Sequence, residues 1–260
     1  MAVARKIGIA LCLALLASMS VSGCKKFNLL SKDEEIRIGR EGSAEIEKKI
    51  PISRNPADIA LVENIGQKLI AANNLKNWPY TFKVVEDREI NAFALPGGPI
   101  YIHRGLLDLT EGNEDELACI IGHEMGHVEN RHAAKMYSQG LLADLAIILG
   151  TRGQVATAAD IIKVFGQMRY SRDNEYESDS FGLRAAYKAG YDPNGMIRFF
   201  TKMKRKEAAG NKDIIENNLR SHPLTQARID RAKKEILKII QAVNLQIEVE
   251  YAQTTAKQRQ

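Results

Sequence analysis

Two histidines and a glutamate in the segment His123-Glu124-Met125-Gly126-His127 have the types and spacing of a metal site. Residues four apart on an α-helix lie about 40° apart around its axis, so both imidazole rings can reach one ion. Glu124, beside the first histidine, can then act as general base on a zinc-bound water. The alternative is a chance match, against which the helix-forming residues just before the motif argue.

A catalytic zinc site needs a third protein ligand as well as an open position. The best candidate lies in the acidic segment 171–179, where Glu175 and Asp179 are four residues apart and would share a helix face. Glu175 could bind the metal while Asp179 accepts a hydrogen bond from the outer nitrogen of a ligand histidine. Glu177 lies about 200° from Glu175 and is expected to face elsewhere. Taken alone, however, an acidic helix face is more typical of solvated surface.

The first 23 residues have the composition of an export signal. Arg5 and Lys6 precede an apolar run at 7–16, which is too short to span a bilayer, and small residues then lead to Cys24. This order resembles a lipoprotein signal, after which Cys24 is the lipidated first residue; an ordinary secretory peptide with an incidental cysteine is the alternative. We predict a periplasmic, lipid-anchored protein, and Lys25 favours the outer membrane by resemblance to known sorting behaviour.

The remaining sequence predicts one metallopeptidase domain at 24–247 and a polar, disordered tail at 248–260. Cys12 leaves with the signal and Cys24 would carry lipid, so Cys119 remains alone and no internal disulfide is expected. The net charge of +5 comes from basic residues that are scattered or paired with acids. Because no basic stripe is interleaved with aromatic residues, we predict no binding of nucleic acid.

The order of secondary-structure signals predicts an α+β fold, mainly helical with a small mixed sheet next to the zinc-site helix. Strand signals at 80–85, 90–95 and 100–103 predict a hairpin around Pro96-Gly97-Gly98-Pro99, immediately before that helix. The edge of such a strand can pair with an extended peptide, although an ordinary core hairpin explains the pattern equally well. Caps and helical spacing predict helices at 31–49, 57–72, 114–136, 172–190, 193–209 and 225–243.

Two apolar segments, 141–149 and 156–165, follow the zinc-site helix in the sequence. Neither is long enough to cross a membrane, and Asp144 interrupts the first. We therefore predict a packed helical pair, with a mobile lid or a membrane-dipping hairpin as the alternative.

The histidine motif at 123–127 and the acidic motif at 175–179 together resemble those of a known family. HExxH followed by ExxxD, within the segment 170–182, is similar to the gluzincin metallopeptidases of peptidase family M48, which include HtpX and the CAAX prenyl proteases. The likeness spans about 91–228, and Ser178 departs from it where many relatives have alanine. Further matching pieces lie at 91–98, 113–118, 189–193 and 221–223. Since the sequence has no long transmembrane segments, it resembles the exported branch of the family rather than HtpX.

The resemblance implies a zincin-like fold, one Zn²⁺ per chain and a set of roles. It places zinc on His123, His127 and Glu175, the general base on Glu124, and the supporting carboxylate on Asp179. His222, in a Ser-His-Pro segment, matches a family histidine near the metal, where it could stabilise an oxyanion or occupy the fourth zinc position. A His-Pro pair is otherwise typical of a turn at a helix entry. Arg228 is a second candidate for contacting the oxyanion.

Two further histidines are expected to lie outside the ligand set. His132 falls about 140° around the helix from His127, and His103 lies on the hairpin, where a structural or rim position is expected.

These features predict a zinc-dependent endopeptidase that cleaves unfolded or misassembled envelope proteins, with outer-membrane proteins as a candidate substrate class. The alternative is a latent or inactive zinc protein that acts mainly as a chaperone or binding module for outer-membrane proteins. The membrane would be reached through lipidated Cys24.

Overall fold

The computed structural model of the protein describes residues 28–138, 169–210 and 216–258. The predicted signal peptide, the lipidation site at Cys24 and the apolar segments at 141–149 and 156–165 lie outside these residues. None of the helices in the described ranges combines the length and apolar character needed to cross a bilayer.

The predicted α+β, zincin-like class is confirmed, because helices surround one small mixed sheet. The named elements, in chain order, are α1 (Lys32–Lys49), α2 (Pro56–Asn73), β1 (Thr81–Val85), β2 (Ala92–Ala94), β3 (Pro99–His103), α3 (Arg104–Thr110), α4 (Glu114–Glu129), α5 (Arg172–Lys188), α6 (Asn194–Ala208), α7 (Glu216–Ser221) and α8 (Gln226–Gln258). The last helix continues through most of the segment that the sequence predicted to be a disordered tail.

Two of the predicted helix starts coincide with side-chain caps. Ser31 and Glu34 form a reciprocal capping box at the start of α1, which satisfies two backbone N–H groups that the helix leaves open. At the start of α4, the Asn113 side chain accepts a hydrogen bond from the Glu116 amide, at 3.0 Å. Acidic residues in the first turn of α4 add a favourable interaction with the helix dipole.

The sheet has the strand order β1-β3-β2, in which β1 is parallel and β2 antiparallel to β3. Gly97 and Gly98 turn the predicted hairpin with φ of 78° and 118°, a backbone region that residues with a Cβ rarely adopt. The expectation that this hairpin directly precedes the metal-site helix is wrong, because the short helix α3 lies between β3 and α4.

The metal-site helix is also shorter than its sequence predicts. α4 ends at Glu129, and Arg131 adopts a left-handed φ of 55° before the chain becomes helical again at 132–138. The Arg131 guanidinium binds the Glu35 carboxylate in α1 and the carbonyl of Leu30 just before that helix. These long-range bonds compete with the local helix propensity that predicted an uninterrupted helix to Met136.

Helices α4 and α5 pack closely enough that glycine is required at their contact. A Cβ added to Gly182 would lie 2.7 Å from the His123 amide nitrogen and 2.9 Å from the Cys119 carbonyl oxygen. Gly122 and Gly126 line the same contact, where an added Cβ would meet the α5 backbone at 3.0 and 2.9 Å. These three glycines therefore set the separation of the two helices that carry the candidate metal ligands.

We expect Gly182→Ala to lower the free energy of unfolding by about 1–3 kcal/mol, because the added methyl group meets backbone atoms that cannot move independently. The higher helix propensity of alanine acts in the opposite direction and is smaller, at most about 1 kcal/mol. Chemical denaturation measures the change, with the exposed Lys188→Ala on the same helix as the control. A variant as stable as the unmodified protein would contradict the role assigned to this contact.

Candidate metal centre

Four side chains from three parts of the chain converge in the interior. His123 and His127 come from α4, Glu175 from α5, and His222 from the turn after α7. One ligand-type atom from each lies within 4.8 Å of the others, and all four residues are buried. The structure thus brings together the two histidines and the glutamate that the sequence proposed as ligands, and it places His222, the candidate for the fourth position or the oxyanion, at ligand distance.

Hydrogen bonds at the outer nitrogens orient two of these rings toward the centre. His123 Nδ1 lies 2.9 Å from Asp179 Oδ1. A carboxylate can only accept, so Nδ1 carries the proton and the lone pair of Nε2 faces inward. Burial lowers the pKa of His127 well below its usual value, which favours the neutral ring that a metal needs.

The donor set fits a divalent metal ion. His123 Nε2 lies 3.1 Å from His127 Nε2, so two ring nitrogens with lone pairs face each other, and His222 Nδ1 lies 3.3 Å from His123 Nε2. Burial raises the pKa of Glu175, but the positive charges of His222 and Arg228 outweigh this effect and hold the pKa well below its usual value. The carboxyl group is therefore ionised. Converging imidazole nitrogens and an ionised carboxylate form a ligand set typical of zinc.

Glu124 lies beside the convergent atoms without belonging to the ligand cluster. Its Oε1 is 3.8 Å from His222 Nε2, and only 3% of the residue's surface is exposed. Burial raises the pKa of Glu124 above its usual value. A carboxylate with a raised pKa next to a metal site has the properties of a general base, since it binds a proton more readily at neutral pH.

Arg228 is placed differently from a free oxyanion donor. Its Nε and Nη2 bind both oxygens of Asp179, at 2.8 and 2.7 Å, and its Nη1 lies 2.6 Å from Glu175 Oε2. Burial lowers the pKa of Arg228, but the larger effect of the Asp179 and Glu175 carboxylates raises it above its usual value. The guanidinium therefore stays charged. These contacts make Arg228 a positioning residue for the two carboxylates of α5.

The sequence missed a second chain of contacts, behind His127. His132 Nδ1 lies 3.1 Å from His127 Nδ1, and His132 Nε2 lies 2.9 Å from Glu177 Oε2. Glu177 accepts a hydrogen bond from His132 Nε2–H, so His132 Nδ1 can accept one from His127 Nδ1–H. The lone pair of His127 Nε2 is thereby directed inward. The expectation that Glu177 faces away from the site holds only for the ligand set, because it acts through His132.

His132 itself is not a member of the ligand cluster formed by the described residues. The helical angle used for the sequence prediction does not apply, however, because the helix ends at Glu129 and Arg131 has a left-handed backbone conformation. Tyr170 closes the same side of the site, with its ring centroid 3.9 Å from that of His127. The only sequence signal for this contact was a histidine five residues after His127. The contact could not be predicted without knowing that the helix ends between the two residues.

A cavity opens from Glu124 and His222 toward α6. It holds about 460 Å³ of empty space, its open mouth included. The apolar part of its wall is formed by Ile120, Met196, Phe199, Phe200 and Met203. The position of this wall allows an apolar side chain to lie next to the candidate base.

Comparison with known sequences places this geometry in a family. Residues 56–236 match the model of Peptidase family M48, and the match covers well over half of the chain. The chain belongs to peptidase family M48. All four convergent side chains, Glu124 and the positioning residues lie within the matched M48 region.

Several M48 proteins are similar over most of this chain. A Vibrio cholerae relative is 32% identical over 220 residues, which are 79% of this chain and 44% of that protein. The beta-barrel assembly-enhancing protease of Escherichia coli is 27% identical over 81% of this chain and 45% of its own length. Metalloprotease LoiP of Escherichia coli is 25% identical over 84% of this chain and 88% of its own. The chain therefore spans about half the length of the beta-barrel assembly-enhancing relatives.

We expect Asp179→Asn to weaken metal binding about 10- to 100-fold, the range measured when a carboxylate behind a ligand histidine is removed. The neutral amide binds Arg228 and His123 less strongly, so the His123 ring loses part of its orientation. Competition with a zinc-sensitive chelating dye measures the affinity. An affinity equal to that of the unmodified M48 domain would show that Asp179 does not support the ligand.

Proposed function

We propose that this M48 protein is a zinc-dependent endopeptidase that hydrolyses peptide bonds of unfolded or misassembled envelope proteins. The observation that carries the proposal is the convergence of His123, His127 and Glu175 beside the buried carboxylate of Glu124. Among known site chemistries, this combination of three N/O ligands and an adjacent general base fits hydrolysis by activated water.

The residues of the chain divide the work of hydrolysis between them. When bound, zinc would lower the pKa of water and polarise the scissile carbonyl. Glu124 accepts the proton from the attacking water and donates it to the leaving amine. Asp179 and Arg228 keep the ligand side chains fixed, so the site does not have to reorganise during the reaction.

Substrate binding is proposed along the free side of β2. This strand pairs with β3 on one side only within the described residues, and it contacts α4, which carries the candidate ligands. An extended peptide could add to β2 through main-chain hydrogen bonds, which select for unfolded chain rather than for one sequence. The apolar cavity toward α6 supports a preference for a large apolar side chain near the cleaved bond.

The proposed location and substrate class rest on two independent supports. The N-terminal sequence has the order of a lipoprotein signal ending at Cys24. Relatives in three bacterial genera are named for enhancing beta-barrel assembly. We infer an envelope protein held at the outer membrane by lipid, with unfolded outer-membrane proteins as substrates.

Cleavage of an outer-membrane β-barrel protein tests the proposal. We expect the zinc-loaded protein to degrade the urea-unfolded substrate and to leave the folded barrel intact. Chelation should abolish cleavage, and added zinc should restore it. Equal cleavage of both substrate forms would contradict the selection for unfolded chain, and insensitivity to chelation would contradict metal-dependent hydrolysis.

A latent protein that binds outer-membrane proteins is the second candidate, and one contact favours it. His222 Nδ1 lies 3.3 Å from His123 Nε2 and 3.0 Å from Glu175 Oε1, close enough to occupy the fourth metal position. A ligand there would block the site that water needs. The same residue could instead move aside and stabilise the oxyanion through its Nε2.

Substitution of His222 by arginine separates these roles. If His222 blocks the metal, we expect His222→Arg to cleave casein several-fold faster than the unmodified protein while keeping its zinc. If His222 stabilises the oxyanion, we expect the rate to fall. Absence of cleavage in both proteins, with zinc retained, would favour the binding role. The zinc content and the cleavage rate of each protein are the measurements.

A further inference from the structure

A second group of metal-ligand side chains lies at the end of the sheet. β1 and β3 are parallel and end at paired positions, Val85 and His103. The turn after β1 carries Asp87 and Glu89 to the same place. One ligand-type atom from each of Asp87, Glu89 and His103 lies within 4.8 Å of the others. We refer to these three residues as the sheet-end cluster.

His103 provides an independent indication that this cluster binds something. Only 4% of the surface of His103 is exposed, and neither ring nitrogen has a hydrogen-bond partner among the described residues. A histidine buried in this way normally pairs both nitrogens with protein or water. A ring nitrogen without a hydrogen-bond partner leaves its lone pair available to a metal ion.

Asp87 is held so that one carboxylate oxygen points toward this ring. Its Oδ1 accepts a hydrogen bond from the Glu89 amide at 2.9 Å, while its Oδ2 lies 3.9 Å from His103 Nδ1. That distance is too long for a hydrogen bond. It is suitable for two ligands that share one ion, since each bond to zinc measures about 2.1 Å.

We propose that Asp87, Glu89 and His103 form a second binding site for a divalent transition metal ion, with zinc as the favoured ion. Two carboxylates and one neutral imidazole suit zinc, and water would complete the coordination. The nearby Arg104 does not neutralise the cluster, because its guanidinium binds Glu86 and Asp58 at 2.9 and 2.7 Å.

An ion at this position would fix the turn that leads into β2. The turn already packs closely on the start of α3, where a Cβ on Gly105 would lie 2.1 Å from the Arg88 carbonyl oxygen. After the turn, Asn91 accepts a 3.3 Å hydrogen bond from Asn218, which lines the cavity beside Glu124. An ion in the sheet-end cluster would therefore stabilise the position of β2, the strand proposed to bind substrate. The existence of this second metal site does not depend on the proposed peptidase activity.

Zinc stoichiometry tests the second site in the full chain. After equilibration with zinc and gel filtration, we expect two equivalents per chain by elemental mass spectrometry. Asp87→Asn combined with Glu89→Gln should lower this to one equivalent, and the exposed Asp108→Asn should leave it at two. His123→Ala combined with His127→Ala should also retain one equivalent, since it removes the other centre. Circular dichroism shows that each variant is folded.

X-ray absorption at the zinc edge gives a second measurement that needs no change in the cluster. In the His123→Ala and His127→Ala double variant, the retained zinc should show one imidazole and otherwise oxygen ligands. Two or more imidazoles would overturn the proposal. So would a single equivalent in the unmodified protein that this double variant loses. A loss of zinc only in the Asp87 and Glu89 variant would support the second site and contradict the HExxH centre instead.

Discussion

Replacement of Glu124 by glutamine is expected to lower the rate of peptide hydrolysis by about two to four orders of magnitude while the metal stays bound. Glutamine has nearly the same shape as glutamate but cannot accept the proton of the attacking water. Glu124 is not part of the ligand cluster, so zinc affinity should change little. Its raised pKa in the buried site indicates a carboxylate suited to proton transfer at neutral pH.

The matched control is Glu114→Gln, which makes the same change at an exposed position on the same helix. It should cleave an unfolded substrate at the rate of the unmodified protein. Zinc content and cleavage rate are measured together for the three proteins. Near-normal cleavage by Glu124→Gln would remove the general base from the proposed mechanism, whatever the zinc content.

Loss of the Glu175 carboxylate is expected to release the metal. Glu175 is the sole acidic member of the four-residue ligand cluster, and it lies 3.4 Å from His127 Nε2 and 3.0 Å from His222 Nδ1. We expect Glu175→Ala to retain much less than one equivalent at the HExxH centre and to lose cleavage with it. Truncation also leaves the positive charge of Arg228 with one carboxylate fewer, which disfavours a cation nearby.

Asp173→Ala is the control, because this exposed acid lies on the same helix and outside the four-residue ligand cluster. The measurement is zinc content in a protein that also carries Asp87→Asn and Glu89→Gln, so that the sheet-end cluster does not contribute. A Glu175→Ala protein that still held one full equivalent in that background would show that the metal does not require this residue.

The local motifs of the candidate site can be predicted from the sequence more directly than the connections around it. HExxH and the ExxxD spacing are local helical patterns, so the faces that carry His123, His127, Glu175 and Asp179 follow from periodicity alone. The capped starts of α1 and α4 and the Gly-Gly hairpin also depend on neighbouring residues, and the structure confirms these three predictions.

Features that depend on distant residues were not predictable in this way. The break after Glu129 is accompanied by bonds from Arg131 to Glu35 and Leu30, about a hundred positions earlier. The same break brings His132 behind His127, which a continuous helix would have prevented. Likewise, the use of Arg228 by two carboxylates appears only when α8 packs beside α5.

The glycine contact between α4 and α5 joins metal affinity to folding stability. Both ligand helices must lie at this separation before their side chains can share an ion, so the ion binds the folded state and not the unfolded chain. Free zinc at a thousand times its Kd would then stabilise the fold by about 4 kcal/mol, a large part of what holds a domain together. Under zinc starvation the protein would therefore lose resistance to proteolysis along with its proposed activity, and its abundance in the cell would follow the supply of metal.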